Sequence, residues 1–219
     1  MKRLLTTTCC ALAGFAMVLA AAGFAHADDA GWTTLFDGTD LSAWQNRDGG
    51  PPSDGWVIEG DVVTRKERAG YIWTKEQFGD FVLELEFNTQ GNSGVFFRTG
   101  DLRNHVQTGL EMQILPPTDK PNRGSVGSIY DAAAPSHNAA VEGWNNAVIT
   151  AKGSRVIIDM NGERIIDIDL DDWTEPGMNP DGSKNKYRTA LKDFPRKGYI
   201  GLQEHGDVVS FRNIRIRPL

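Results

Sequence analysis

Cysteine is nearly absent from the 219-residue chain, and the two present, Cys9 and Cys10, both fall in its first 27 residues. Those residues have the plan of a secretory signal peptide: Lys2 and Arg3 form a charged start, Ala11 to Ala22 an apolar middle, and Ala25-His26-Ala27 a small-residue cleavage site. A lipidated cysteine would follow the apolar stretch, whereas Cys9 and Cys10 precede it, so no membrane anchor is expected. Cleavage after Ala27 leaves 192 residues without cysteine, which excludes disulfides and thiolate chemistry. Positive charge is also scarce. The shortened chain carries 21 basic and 29 acidic side chains, a net charge of −8, which argues against nucleic acid and anionic membranes as partners. The expected location is periplasmic or secreted, with residues 28–219 forming a single domain.

Helical periodicity is missing as well: no segment of ten or more residues carries a convincing 3.6-residue repeat. What is present is alternation. Phe81, Leu83, Leu85 and Phe87 interleave with Val82, Glu84, Glu86 and Asn88, a period of two that buries one face of a strand. Similar segments lie near Trp56 to Glu59, Val62 to Arg65, Tyr71 to Thr74, Gly94 to Arg98, Leu110 to Leu115, Asn146 to Ala151, Arg155 to Met160, Arg164 to Ile168, Tyr199 to Gln203 and Val208 to Arg217. Asn161-Gly162 is the preferred two-residue hairpin turn, since both residues tolerate positive φ. Strands in this number predict an all-β jelly-roll sandwich of two antiparallel sheets. Leu102 to Thr108, Pro116 to Asn122, Ala132 to Glu142 and Asp171 to Pro195 are then loops around a groove.

Chemistry-bearing residues recur at strand spacing. Glu111 and Gln113 are two apart in Leu110-Glu111-Met112-Gln113-Ile114 and project from one face, with Met112 and Ile114 toward the core. Gln203 and His205 repeat the arrangement in Gly201-Leu202-Gln203-Glu204-His205-Gly206. In Gly91-Asn92-Ser93-Gly94-Val95-Phe96-Phe97-Arg98 a turn enters a strand, and alternation sets Arg98 beside Phe96, where an arginine suits an oxyanion. Tyr130, Trp144 with Asn145, Trp44 and Trp73 are candidates for stacking on sugar rings. His105, His137 and His205 lack zinc spacing, and Asp167, Asp169 and Asp171 fit a solvated strand end better than a calcium loop. Lys184 to Lys197 reads as a solvated basic loop. Phosphate loops, Gly-x-Ser-x-Gly elbows and nucleophilic cysteines are lacking.

Several segments together resemble the 3-keto-disaccharide hydrolase family of secreted bacterial proteins. They are Leu35-Phe36-Asp37-Gly38 with Leu41 and Trp44, Phe78-Gly79-Asp80-Phe81, Gly91-Asn92-Ser93-Gly94 with Phe97-Arg98, Glu111-Met112-Gln113-Ile114, Trp144-Asn145, Gly198 to Gly206, and Phe211-Arg212-Asn213-Ile214. The resemblance spans nearly all of residues 28–219 and implies a concanavalin A-like fold, in agreement with the strand pattern. Laminarinase-type glycosidases of that fold carry Glu-x-Asp-x-x-Glu; with Glu111 first, Gln113 and Pro116 occupy the other two places, so the ordinary carboxylate pair is missing. The implied reaction uses a sugar already oxidised at C3, whose ketone acidifies the C2 hydrogen. A base removes that hydrogen, an enolate forms at O3, the aglycone leaves C1, and water adds back.

On this basis Glu111, His205 and Arg98 are the expected catalytic groups, with Gln113, Gln203, Asn92, Tyr130, Trp144 and Asn145 binding substrate. The residues require no cofactor, although a divalent cation at O3 is compatible with the reaction. The substrate implies an upstream exported oxidoreductase as functional partner. Two other functions fit the same face: a lectin-like module that binds glycans without turnover, and an endo-glucanase with a second carboxylate supplied by another strand.

Overall fold

The computed structural model describes residues 30–219, so the signal peptide expected at residues 1–27, including Cys9 and Cys10, lies outside the described residues. Two antiparallel sheets account for most of the regular secondary structure among the described residues. The eight-stranded sheet runs β11 (Glu163–Asp169), β10 (Arg155–Met160), β9 (Asn145–Lys152), β6 (Phe81–Thr89), β13 (Val209–Pro218), β4 (Val62–Arg65) and β3 (Trp56–Glu59), with β1 (Thr33–Phe36) paired to β13. The five-stranded sheet runs β2 (Trp44–Gln45), β5 (Ile72–Thr74), β12 (Tyr199–Leu202), β7 (Ser93–Thr99) and β8 (Leu110–Ile114). A single helical turn, α1 (His105–Thr108), bridges β7 and β8. Among the described residues no helix is long and apolar enough to cross a membrane.

The alternation in β6 does what its period requires. Phe81, Leu83, Leu85 and Phe87 are buried while the residues between them are half-buried. On the outward side Glu84 pairs with Arg215 and Glu86 with Arg212 across the β6–β13 ladder. Between β10 and β11, Asn161 and Gly162 adopt φ of 52° and 84°, the left-handed pair expected of this hairpin. The core between the sheets joins this inner face to Ile72, Val95, Phe97, Met112, Ile114, Ile200 and Leu202 of the five-stranded sheet.

The five-stranded sheet departs from simple alternation. Every residue of β7 and β8 is buried, on both faces. One face meets the core, and the other is roofed by α1 and the 184–190 segment, which are tied together where Gln107 Nε2 donates to the Lys186 carbonyl (3.1 Å) and Arg188 N–H donates to Gln107 Oε1 (2.8 Å).

Candidate active site

The roofed face of the five-stranded sheet carries Glu111 and Gln113 from β8, Phe96 from β7, Gln203 just after β12, and Trp73 from β5. Register aligns them: Phe96 opposes Glu111, Gly94 opposes Gln113, and Gly201 stands between Phe96 and Trp73. Two glycines make room. A Cβ on Gly94 would lie 2.5 Å from Glu111 Oε1, and one on Gly201 would lie 2.4 Å from the Trp73 ring. The carboxylate and the indole therefore occupy volume that any other side chain at these two positions would fill.

Glu111 is only 4% exposed, and its two oxygens have different partners. Gln203 Nε2 donates to Oε1 at 2.7 Å, and Lys186 Nζ stands 3.8 Å from Oε2. The same ammonium sits 3.9 Å from the centroid of the Tyr130 ring, a cation–π contact. Its backbone is fixed too, because Lys186 N–H donates to Asp131 Oδ2 at 2.6 Å, and Tyr187 Oη donates to the Tyr130 carbonyl at 2.7 Å. Burial raises the Glu111 pKa above its ordinary value, partly opposed by Lys186, by the Gln203 hydrogen bond and by the field of His205. Burial also lowers the Lys186 pKa, opposed by Glu111 and Asp131. Both members of the pair are thus moved toward their neutral forms, which narrows the cost of passing a proton between them or to a bound molecule.

Beside this pair opens a cleft of about 530 Å³, lined in part by Tyr71, Trp73, His105, Arg47, Arg103 and Glu204. His105 covers the aromatic floor, its ring 4.8 Å from Tyr71, 5.1 Å from Phe96 and 5.6 Å from Trp73. Tyr71 joins the cleft to Glu111: burial first, and then the Glu111 charge, push its phenol up to about 12, so it is a neutral donor at physiological pH. Glu204 is held at the rim by Arg65, 2.6 Å away, and by the Gly206 N–H at 2.9 Å.

Residues 31–217 match the family described as the 3-keto-alpha-glucoside-1,2-lyase-like domain. The chain belongs to this family. Among its relatives is the 3-keto-disaccharide hydrolase of Bacteroides thetaiotaomicron, 26% identical over an alignment that covers 88% of this chain and 80% of that protein. A crystal structure from Parabacteroides distasonis, named as a presumptive glycosyl hydrolase, is 30% identical with a TM-score of 0.71, covering 86% of this chain and 99% of that one. A Bacillus subtilis protein of unknown function with a galectin-like fold, 15% identical, has a TM-score of 0.53 over 85% of this chain and 94% of its own, and shares the sandwich alone.

Within this family frame the sequence-derived site divides. Glu111, Gln113, Gln203, Asn92 and Tyr130 gather: Gln113 Nε2 donates to Asn92 Oδ1 at 3.1 Å, and Tyr130 N–H donates to the Glu111 carbonyl at 2.9 Å. His205 is exposed on the loop between β12 and β13 and acts on Glu111 through its field. Arg98 does not join them. It is 1% exposed, and its guanidinium donates to the Gly79 carbonyl (3.1 Å), the Gly153 carbonyl (2.7 Å) and Asp80 Oδ1 (2.9 Å). Alternation fails because β7 bulges there: three steps from Phe96 to Thr99 face two from Tyr199 to Gly201, and Arg98 takes φ 51°. Trp144 and Asn145 belong to the other sheet. Arg212 stacks on the Trp144 ring at 4.2 Å, and Asn145 closes its own loop through Val141 and Gly143. Trp44 is core, its Nε1 donating to the Leu35 carbonyl at 2.8 Å.

Lys186, His105 and Tyr71 are the groups that sequence reasoning passed over. Lys186 sat in a stretch taken for a solvated loop, although its side chain is 24% exposed. For a divalent cation the donor set does not fit. Among the described residues no three His, Cys, Asp or Glu side chains gather as ligands, and the Glu111 oxygens already face an amide N–H and an ammonium. Lys186 supplies the positive charge at this carboxylate.

Proposed function

We propose that the protein cleaves the glycosidic bond of 3-keto-glycosides by removing the C2 hydrogen, releasing the aglycone from C1 and adding water. The observation that carries this reading is the pairing of the buried Glu111 carboxylate with the half-buried Lys186 ammonium beside an aromatic cleft. Glu111, with its pKa raised by burial, is a base better matched to neutral pH than an exposed carboxylate. It is aimed by Gln203, whose amide fixes one oxygen. Lys186 meets the negative charge that moves to O3 as the C2–H bond breaks, a transition-state interaction the uncharged ketone does not receive in full. Tyr71, neutral and adjacent, is placed to give a hydrogen bond to the same developing charge or to the departing oxygen.

Ordinary retaining hydrolysis would instead need two carboxyl groups about 5–5.5 Å apart, one of them free to exchange a proton. Glu204, the carboxylate at the cleft rim, is neutralised by Arg65 and hydrogen-bonded by Gly206, which suits an anchor better than an acid. The named activity of the Bacteroides relative agrees with the 3-keto reading. The proposal includes an exported setting, from the signal-peptide pattern expected at residues 1–27, and an exported oxidoreductase that oxidises C3 as the supplier of substrate.

Incubation with a 3-keto-glucoside and its unoxidised parent tests the proposal. The keto sugar is cleaved with C2 hydrogen exchange in deuterated water, and the parent is left intact. Equal cleavage of both would return the protein to conventional glycosidases; binding of both with cleavage of neither would make it a lectin-like module.

A further inference from the structure

Cleavage through C2 deprotonation has two halves, and the Glu111–Lys186 pair accounts only for the first. Loss of the aglycone leaves an enone, with C1=C2 conjugated to the C3 ketone. A lyase stops there. A hydrolase must add water across C1=C2, which requires a second base to take a proton from that water while Glu111 is still protonated.

His105 has the placement and the tautomer for this task. It is half-buried in the cleft wall, its ring perpendicular to that of Phe96, the residue paired across the ladder with Glu111. Its Nδ1 lies 3.3 Å from the Leu102 carbonyl, and a carbonyl only accepts, so Nδ1 carries the hydrogen and Nε2 carries the lone pair of the neutral ring. The charged groups about it are Lys186 and Arg47, which disfavour protonation, and Asp101, which favours it; burial outweighs them all and keeps the ring neutral. Its α1 turn is locked to the Lys186 segment through Gln107, so the two parts of the roof hold one geometry.

We infer that His105 is the catalytic base of the hydration half, and that it decides whether the protein releases a hydrated 3-keto sugar or the unsaturated elimination product. The inference rests on the 3-keto-glycoside reading and extends it. In the first half Glu111 takes the C2 proton, the C1–O bond breaks, and the aglycone oxygen leaves with its electron pair and is protonated from solvent. In the second, His105 Nε2 accepts a proton from water, the water oxygen bonds to C1, and the electron pair of C1=C2 moves through C2 onto O3. Glu111, its carboxyl proton by then exchanged with solvent, protonates C2, the ketone re-forms, and His105 passes its proton to solvent. The sum is one water consumed and one alcohol released, with no oxidant or reductant.

The test separates the halves with the two anomers of p-nitrophenyl 3-keto-glucoside, whose coloured aglycone reports cleavage, and with 2-hydroxy-3-keto-glucal, the enone itself, which reports hydration by loss of its ultraviolet absorption. His105→Asn keeps a donor for the Leu102 carbonyl and removes the Nε2 base; His105→Gln serves if the first variant does not fold, and thermal melts establish that each does. The expected result is a smaller loss in release of p-nitrophenol than in hydration, so that the enone accumulates, with hydration of added enone slowed by about 10²- to 10⁴-fold. Imidazole added to His105→Ala restores hydration. Hydration at the wild-type rate in a folded variant overturns the inference. So does a parallel loss of release and hydration that imidazole does not rescue, which would make His105 a packing residue. If the wild-type protein releases aglycone and leaves the enone unhydrated, the inference fails while the cleavage reading stands. If it releases no aglycone from either anomer, the cleavage reading fails and takes the inference with it.

Discussion

Gly94→Ala tests whether the position of the Glu111 carboxylate matters to turnover. Gly94 lies in β7, between β12 and β8, and its φ is outside the left-handed region, so an alanine suits the backbone. The difficulty is in front of it. The new Cβ would stand 2.5 Å from Oε1, 3.0 Å from Cγ and 3.2 Å from Cδ of Glu111, where ordinary contact begins at 3.4 Å. Relief requires the carboxylate to move by about 1 Å, and a misplacement of that size costs a rate on the order of 10²-fold. The displaced oxygen is the one bonded to Gln203, so the aim is lost along with the position.

Overpacking of this kind costs about 1–3 kcal/mol. For a chain of this size each kcal/mol lowers the melting temperature by about 2–4 °C, leaving the variant folded at assay temperature. Thermal melts and turnover of a 3-keto-glucoside, measured on the same preparations, are the assay. The double variant Gly94→Ala/Glu111→Gln should lose no more than Glu111→Gln alone, since both changes disable one group. A Gly94→Ala protein with wild-type turnover, or losses that multiply in the double variant, would refute the argument that this carboxylate does the chemistry from this position.

Arg98→Ala should destabilise the fold by about 1–3 kcal/mol, because the Gly79 and Gly153 carbonyls lose their buried donor while the partly exposed Asp80 stays solvated, and activity per folded molecule is preserved; lost activity with an unchanged melt would restore Arg98 to the site. Lys186→Met removes the ammonium that opposes burial at Glu111, so turnover drops and the acidic limb of the kcat/KM profile moves to higher pH; an unmoved limb refutes the coupling. Glu111→Gln should be at least as stable as the wild type at neutral pH. The folded pKa of Glu111 lies above 4.5, so the native state binds the extra proton; wild-type stability falls as pH rises from 4.5 through the folded value and stays lower beyond it. The stability difference between the two proteins should therefore shrink in acid, and denaturant titrations at several pH values check it.

The fold was largely legible because strand periodicity is local. The alternation from Phe81 to Phe87 and the Asn161-Gly162 turn need no knowledge of distant residues to be recognised, and both appear in the structure as expected. The two strands that escaped notice, β1 and β2, are four and two residues long, too short to establish a period, and β1 is held by pairing with β13 at the far end of the chain. Within the site, parity found Glu111, Gln113 and Gln203, since all three stand on or next to regular strand. The same rule misplaced Arg98, because a bulge breaks parity without leaving a residue type that marks it. Trp144 and Asn145 fall away from the site because adjacency in sequence says nothing about which of two layers a strand joins.

Lys186 and His105 were hidden for a different reason: a strand's period assigns a face but not what covers it, and these residues come from the cover. A clue to the cover lay in the strands themselves. A face left open to water carries Lys, Glu and Thr, as the outward side of β6 does with Glu84 and Glu86. The site face instead carries Gly94, Phe96, Gly201 and Trp73, glycines and aromatics, and both sides of β7 and β8 are buried. Near-continuous small and apolar residues along a strand signal burial on two faces, so a polar residue such as Glu111 in that setting had to be sealed beneath something. A sealed carboxylate needs a partner of opposite charge. Of the loops long enough to reach across the sheet, the 171–195 segment is the one rich in lysine and arginine, and it delivers Lys186.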